Sequence, residues 1–249
     1  MLKEERLNYI LDEIRAYNKV KSSDLSIQLN VSEDTIRRDL KELSDTGKIR
    51  KVHGGAMASS YIPFSYKDRE VYAHEEKISI VKKAIPLIKD DQVVLIDGGT
   101  TNLELVRLLP QDLKATFFTN CLPVATQLAE HPNIEIVFIG GKIIKNALVS
   151  IGLDVINSLN EIQADICFLG TRSIHYKNGI TEIDREEAQV KRAIAQSANH
   201  VVSLAISDKL DTLQPFKVEG INKINTIVTE LDPNHERLDN YKKSGVEVL

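Results

Sequence analysis

The chain of 249 residues holds only two cysteines, Cys121 and Cys167, both in or beside apolar segments and without zinc-ligand spacing around them. A disulfide framework and structural zinc are therefore excluded from the reading, and the six histidines are too scattered to make a metal cluster. Buried, reduced thiols and no cofactor are expected. No apolar run approaches the ~20 residues that a membrane span needs, and Lys3, Glu4, Glu5 and Arg6 stand where a signal peptide would begin its apolar core. A cytoplasmic protein with no membrane partner is expected. Internal repeats and low-complexity stretches are missing. So are two phosphate-binding signatures: Gly98-Gly99 is followed by Thr100-Thr101 with no Gly-Lys-Ser/Thr, and no Gly-x-Gly-x-x-Gly follows a strand. Nucleotide binding is disfavoured.

Charge is also scarce in sum, with a net value of −4 that argues against indiscriminate binding of polyanions. Its distribution is uneven. Residues 1–57 hold 11 Lys and Arg against 10 Asp and Glu, and from Arg37 to Lys51 the balance is six basic to three acidic. The remainder carries −5 and would be repelled by phosphates, so DNA affinity should be local and salt-sensitive.

What is present explains that concentration. Leu7, Ile10, Leu11 and Ile14 fall at helical spacing, and Ser22-Ser23 opens a short helix carrying Leu25 and Leu29. Asn30, which tolerates left-handed dihedrals, turns the chain into Val31-Ser32. Ser32 then serves as N-cap for a third helix with Glu33 and Asp34 in its first turn and Ile36, Leu40 and Leu43 as one apolar stripe. Asp34, Arg38 and Lys41 lie opposite that stripe, with Thr35 and Arg37 on its flanks. An ordinary solvated face, pairing Arg37, Arg38 and Lys41 with Asp34, Asp39 and Glu42, is the competing reading. Two helices, a tight turn and a basic third helix favour a DNA-binding helix-turn-helix. Gly47 is read as the stop of the third helix, Lys48 to Val52 as a strand, and Gly54-Gly55 as the tip of a wing.

Residues 58–63 lack periodicity and end in Pro63, which suits a boundary. The expected organisation is a reader over residues 1–57, a linker over 58–72 and a second domain over 73–249. That domain should open with a helix from Ala73 to Ile88 whose apolar face is Ile78, Val81, Ala84 and Ile85. Strands are then predicted at Val93 to Ile96, Thr116 to Phe118, Ile134 to Ile139, Ile166 to Leu169, Val201 to Ala205 and Ile224 to Val228. Helices are predicted between them near Leu103 to Leu109, Val124 to Glu130, Val155 to Leu159 and Glu186 to Ala198. Such alternation points to an α/β domain with a mostly parallel sheet covered on both faces.

Open parallel sheets bind ligands beyond the carboxyl ends of their strands. Waiting there are Asp97-Gly98-Gly99-Thr100-Thr101-Asn102, Thr119-Asn120, Gly140-Gly141-Lys142, Gly170-Thr171-Arg172-Ser173 and Ser207-Asp208-Lys209. Each turn alone is an ordinary connection. Together they supply the glycine, hydroxyl, amide and cation that a phosphorylated polyol requires.

The segment from Val31-Ser32 through Thr35-Ile36-Arg37-Arg38-Asp39-Leu40 to His53-Gly54-Gly55-Ala56 resembles the amino-terminal motif of the DeoR/GlpR family of bacterial sugar-metabolism regulators. Asp97-Gly98-Gly99-Thr100-Thr101, Thr119-Asn120, Gly140-Gly141, Gly170, the Glu186 to Lys191 segment and Lys209 are similar to recurring positions of that family's effector domain, which is related in fold to ribose-5-phosphate isomerase. The resemblance implies a winged helix-turn-helix followed by a sensor, with double-stranded operator DNA, a phosphorylated sugar and a homo-oligomer (dimer or tetramer) as partners. It implies DNA contacts from Ser32, Thr35, Arg37, Arg38 and Lys41 on the recognition helix and from Arg50, Lys51 and His53 in the wing. Effector contacts would come from Asp97, Gly98, Gly99, Thr100, Thr101, Asn120, Gly141, Lys142, Gly170, Arg172, Glu186 and Lys209, with Arg69 and Lys77 at the entrance. The chain departs from the family at Thr171-Arg172-Ser173 and at Ile206-Ser207-Asp208, which leaves effector identity open and allows Arg172 either to bind or to block.

A repressor of carbohydrate genes, responsive to a sugar phosphate and without enzymatic activity, is the leading expectation. A sugar-phosphate isomerase using Asp97, Asp184, Glu186, Glu187 and Lys209, or a constitutive DNA-bound regulator with a dead pocket, are the alternatives.

Overall fold

Apolar residues at helical period build α1 (Lys3–Tyr17), α2 (Ser22–Leu29) and α3 (Glu33–Asp45). The computed structural model describes residues 2–17, 19–45, 49–58 and 66–249; Gly47, Lys48 and residues 59–65 of the predicted linker lie outside them. Ile10, Ile14, Leu25, Ile36, Leu40 and Leu43 are all at most 2% exposed and form one core. Burying a side chain of this size is worth about 1.5–3 kcal/mol before entropy, so the apolar stripe anchors α3 and leaves its other face free for a partner. Asn30 takes the left-handed conformation at φ 50°, and the Thr35 N–H donates to the Ser32 hydroxyl at 3.2 Å. Both follow the sequence reading. Strand β1 (Lys19–Lys21) was not predicted; it joins the wing strands β2 (Ile49–Val52) and β3 (Gly55–Ala58) in the order β1-β3-β2. A Cβ on Gly55 would lie 2.0 Å from the Val20 carbonyl oxygen, so β3 can approach β1 only with glycine there.

The chain divides into two compact units, one over residues 1–62 and one carrying nearly all of residues 63–249. In the second, α4 (Tyr66–Val71) and α5 (His74–Ala84) are separated by Ala73 at φ 51°. Residues 66–71, placed in the linker by sequence, are thus helical. The buried face of α5 is Lys77, Ile80, Val81 and Ala84, whereas Ile78 and Ile85 are only half-buried. The face is rotated from the expected one toward Lys77 and Ile80.

Strands and helices then alternate: β4 (Val93–Ile96), α6 (Thr100–Arg107), β5 (Ala115–Thr119), α7 (Leu122–Leu128), β6 (Ile134–Phe138), β7 (Lys142–Ile144), β8 (Val149–Ile151), α8 (Leu153–Asn160) and β9 (Ala164–Gly170). They continue with β10 (Ser173–His175), β11 (Gly179–Glu182), α9 (Arg185–Gln196), β12 (Ala198–Leu204), β13 (Phe216–Glu219), β14 (Thr226–Val228), α10 (Asp239–Lys243) and β15 (Glu247–Val248). Seven of these strands form a parallel sheet in the order β15-β14-β12-β9-β4-β5-β6. All six predicted strands belong to it. The unpredicted ones are short, chiefly the β7–β8 hairpin and the antiparallel β10-β11-β13 sheet, and carry no long apolar run. From β4 the chain steps outward to β5 and β6, then returns to place β9 on the other side of β4. That reversal opens a crevice above the carboxyl ends of β4 and β9, where parallel α/β sheets bind ligands. Cys121 and Cys167 are fully buried beneath it, and burial pushes the Cys121 thiol up to about 11.

Candidate functional site

The outer face of α3 presents Asp34, Arg37, Arg38 and Lys41 to solvent, with Ser32 exposed at its start and Thr35 half-buried. Lys51 and His53 are exposed in the wing; Arg50 lies in β2, its side chain outside the described residues. Arg37 reaches back to Glu33 at 3.2 Å and Asp34 at 3.1 Å. Such exposed pairs are worth about 0.2–1 kcal/mol and yield readily to a phosphate. Among the described residues Arg38 and Lys41 make no ion pair. Asp39, counted by sequence among the solvent partners of this face, instead turns inward. It is 2% exposed and receives a two-pronged contact from Arg6, Nε to Oδ2 at 2.5 Å and Nη2 to Oδ1 at 3.1 Å. The basic face is therefore short of acidic neighbours.

In the sensor unit Asp97 follows β4, and the Asn102 amide ties the ends of β4 and β9 by donating to the Asp97 and Phe168 carbonyls at 2.9 and 3.1 Å. The two backbones touch: a Cβ on Gly170 would sit 1.7 Å from the Gly98 oxygen. Gly99 then precedes α6, whose Thr100 and Thr101 are buried. The Thr100 hydroxyl donates to the Arg69 carbonyl at 3.2 Å.

Lys191, placed by the family resemblance in the Glu186 to Lys191 segment of the effector domain, is 3% exposed and central. Its amine meets Asp97 Oδ2 at 2.7 Å, the Gly170 carbonyl at 2.6 Å, Glu187 at 3.3 Å and Glu182 at 3.6 Å. Burial alone would lower its pKa, but Asp97, Glu187 and Glu182 outweigh that and raise it. Glu187 is pushed up by burial and by Glu182. Beside this cluster lies a cationic one. Lys209 is lowered to about 7 by burial and by the charges of Arg172, Arg69, Lys77 and Lys191. Lys77 is lowered to about 8, chiefly by burial, while its amine donates to the Arg69 and Glu70 carbonyls. Around both clusters, buried polar atoms lack hydrogen-bond partners among the described residues: Asp97 Oδ1, Asn120 Oδ1, Ser173 Oγ, Tyr66 Oη and Arg69 Nε. Each unmet group costs about 1–3 kcal/mol. A ligand rich in hydroxyls and negative charge would satisfy them.

Asp97, Gly98, Gly99, Thr100, Thr101, Asn120, Gly170, Arg172 and Lys209 thus come together as expected from their positions at strand ends. Lys142 and Glu186 do not join them; they pair with each other at 3.0 Å on the surface. Gly141 serves packing, since a Cβ there would meet Val155 at 2.6 Å and the Ile151 carbonyl at 2.8 Å. Asp184 caps α9 by accepting the Glu187 N–H at 2.9 Å. Glu182 and Tyr66 were missed as site residues; Ser173, Glu187 and Lys191 stood in segments noted from the sequence without an assigned effector contact, and the Glu187–Lys191 spacing of one helical turn was the available signal.

A winged helix-turn-helix joined to an α/β unit with a polar, cation-lined crevice defines a DNA-binding transcriptional regulator. The chain belongs to the DeoR family: the profile described as "DeoR-like helix-turn-helix domain" matches residues 6–61 and "DeoR C terminal sensor domain" matches residues 72–231. It is 31% identical over 246 residues to the HTH-type transcriptional regulator GolR of Listeria innocua, spanning 98% of this chain and 97% of that one. It is 33% identical over 251 residues to the HTH-type transcriptional repressor GlcR of Bacillus subtilis, spanning 100% and 96%. Among solved structures, ribose 5-phosphate isomerase A of Methanocaldococcus jannaschii aligns with a TM-score of 0.41 and 19% identity over 55% of this chain and 54% of that one. Among the described residues no helix is long and apolar enough to cross a membrane.

Proposed function

We propose that this chain is a cytoplasmic, homo-oligomeric repressor of carbohydrate-metabolism genes whose operator affinity is set by a phosphorylated sugar. The reader occupies residues 1–57 and the effector lobe residues 73–249, joined through residues 58–72, which include α4. One observation carries the effector half: Arg69, Lys77, Arg172 and Lys209 gather in one place, where burial and then the neighbouring cations hold Lys209 near 7, beside unmet polar atoms on Asp97, Asn120 and Ser173. A phosphate offsets the repulsion, and the sugar hydroxyls answer the polar atoms. Arg69 and Tyr66 sit on α4, the first described element after the wing, so ligand contacts there reach the segment leading to the reader. Such coupling is typically worth about 1–3 kcal/mol. Catalysis is not supported, because Asp97 is held by the Lys191 amine, Asp184 caps α9 and Glu186 is on the surface. Titrating the operator complex with a panel of sugar phosphates tests the proposal; operator affinity unchanged by every member overturns its effector half.

The α3 helix is proposed to enter the major groove, with Arg37 and Arg38 at base edges, Ser32, Thr35 and Lys41 near the backbone, and Arg50, Lys51 and His53 of the wing on phosphates. Arg38→Ala should cost about 1–3 kcal/mol and relax discrimination at one base pair, whereas Lys51→Ala should weaken all sequences alike and reduce the salt slope by about 1. Fluorescence anisotropy on cognate and scrambled duplexes at several salt concentrations separates the two.

Effector binding should take up protons. Lys209 near 7 and Lys77 near 8 are partly neutral in the free protein at pH 8, and a bound anion raises both. Affinity therefore falls as pH rises above about 7. Calorimetry at pH 8 in buffers of different ionisation enthalpy should register the uptake, and equal heats in all buffers would refute it.

A further inference from the structure

The two edges of the seven-stranded sheet differ. One ends in β15, only two residues long. The other ends in β6, whose sequence Ile134-Glu135-Ile136-Val137-Phe138 contains no proline, lysine or bulge, the devices by which exposed edges are usually blunted. Val137 is 37% exposed and Phe138 39%. No described strand pairs with the outer side of β6.

The backbone polarity of that edge follows from its inner bonds. The Ile139 N–H donates inward to the Thr119 carbonyl at 2.8 Å. With a period of two, Val137 and Glu135 also bond inward to β5, and the N–H and C=O groups of Ile134, Ile136 and Phe138 point out. We propose that β6 pairs antiparallel with β6 of a second copy of this chain about a two-fold axis at Ile136, joining two sensor units into one continuous sheet. An identical strand is the occupant whose pattern fits. In this register the two Ile136 residues exchange both hydrogen bonds, and each Ile134 does the same with the other copy's Phe138, so every outward group within the strand is used. Glu135 stands opposite Val137 of the second copy, so no like charges face each other directly; the two Glu135 carboxylates are diagonal and solvent-exposed. Pairing of this kind is isologous and closes at a dimer. It also supplies paired readers for two half-sites.

Sedimentation velocity on the full chain at micromolar concentration tests the pairing. The wild type should run as a dimer or a multiple of it. Ile136→Pro removes only an outward N–H, which edge strands tolerate, and Val137→Glu sets a second carboxylate directly opposite Glu135 of the other copy; each should halve the mass with circular dichroism and melting unchanged. Oxidised Ile136→Cys should cross-link to itself, because paired Cα atoms about 5.5 Å apart lie within disulfide reach, whereas Ile134→Cys should not. A monomeric wild type overturns the proposal, as does Val137→Glu at wild-type mass or cross-linking equal at the two positions. Should Ile136→Pro misfold, the glutamate and cysteine variants decide. A wild type that binds no DNA would overturn the regulator reading and leave these outcomes as they are.

Discussion

Lys191→Met should destabilise the sensor unit by about 3–5 kcal/mol at neutral pH, the usual cost of removing one partner from a buried ion cluster. The amine lies 2.7 Å from Asp97 and within 3.6 Å of Glu187 and Glu182, and it also holds the Gly170 carbonyl. Methionine restores the volume but not the charge, so three carboxyl groups are left facing one another with nothing to oppose them. For a unit of this size the loss corresponds to a fall in melting temperature of roughly 6–20 °C. The penalty should shrink on acidification. Glu187 is already raised by burial and by Glu182, and a carboxyl group with a raised pKa destabilises the fold while charged and ceases to do so once protonated. Scanning calorimetry at pH 7.5 and pH 5 should therefore show variant and wild type converging at the lower pH. Equal melting temperatures at pH 7.5 would mean that the cluster is not a neutralised unit.

Arg6→Ala should unfold the reader outright. Asp39 is 2% exposed and takes both of its Arg6 contacts from a side chain that is itself largely buried. Left alone, its charge costs about 3–5 kcal/mol, and a core of fewer than about 70–80 residues rarely supplies more than that in total. Operator binding should be abolished, while effector binding and the sensor's thermal transition persist. A double variant, Arg6→Met with Asp39→Leu, should refold the reader, because replacing both members of a buried pair by apolar groups is often neutral. If Arg6→Ala binds operator normally, the pair contributes little.

Those two residues mark where sequence reading stopped. The stripe of Ile36, Leu40 and Leu43, the Ser32 cap and the Asn30 turn are local relations within a few residues, and all were legible. The six apolar runs were likewise enough for the parallel sheet, since a strand buried on both faces needs little context. Asp39 was misplaced because its partner lies 33 positions away, and nothing in helical spacing separates an inward aspartate from an outward one. In the crevice, residues at strand ends were identifiable from the fold rule. Lys191 and Glu187 entered only through the family resemblance and the isomerase alternative, because α9 carries carboxylates at Glu186 and Glu187 and only the packing of that helix on β9 decides which turns in. The helix α4 is too short for its period to show.

Ala73 holds a left-handed backbone between α4 and α5, a conformation that costs an L-residue roughly 1–2 kcal/mol and that glycine would adopt without penalty. Alanine narrows the joint to few rotational states. Ala73→Gly should therefore widen the range of angles open between α4 and α5 and loosen the link from the crevice to the chain that precedes it.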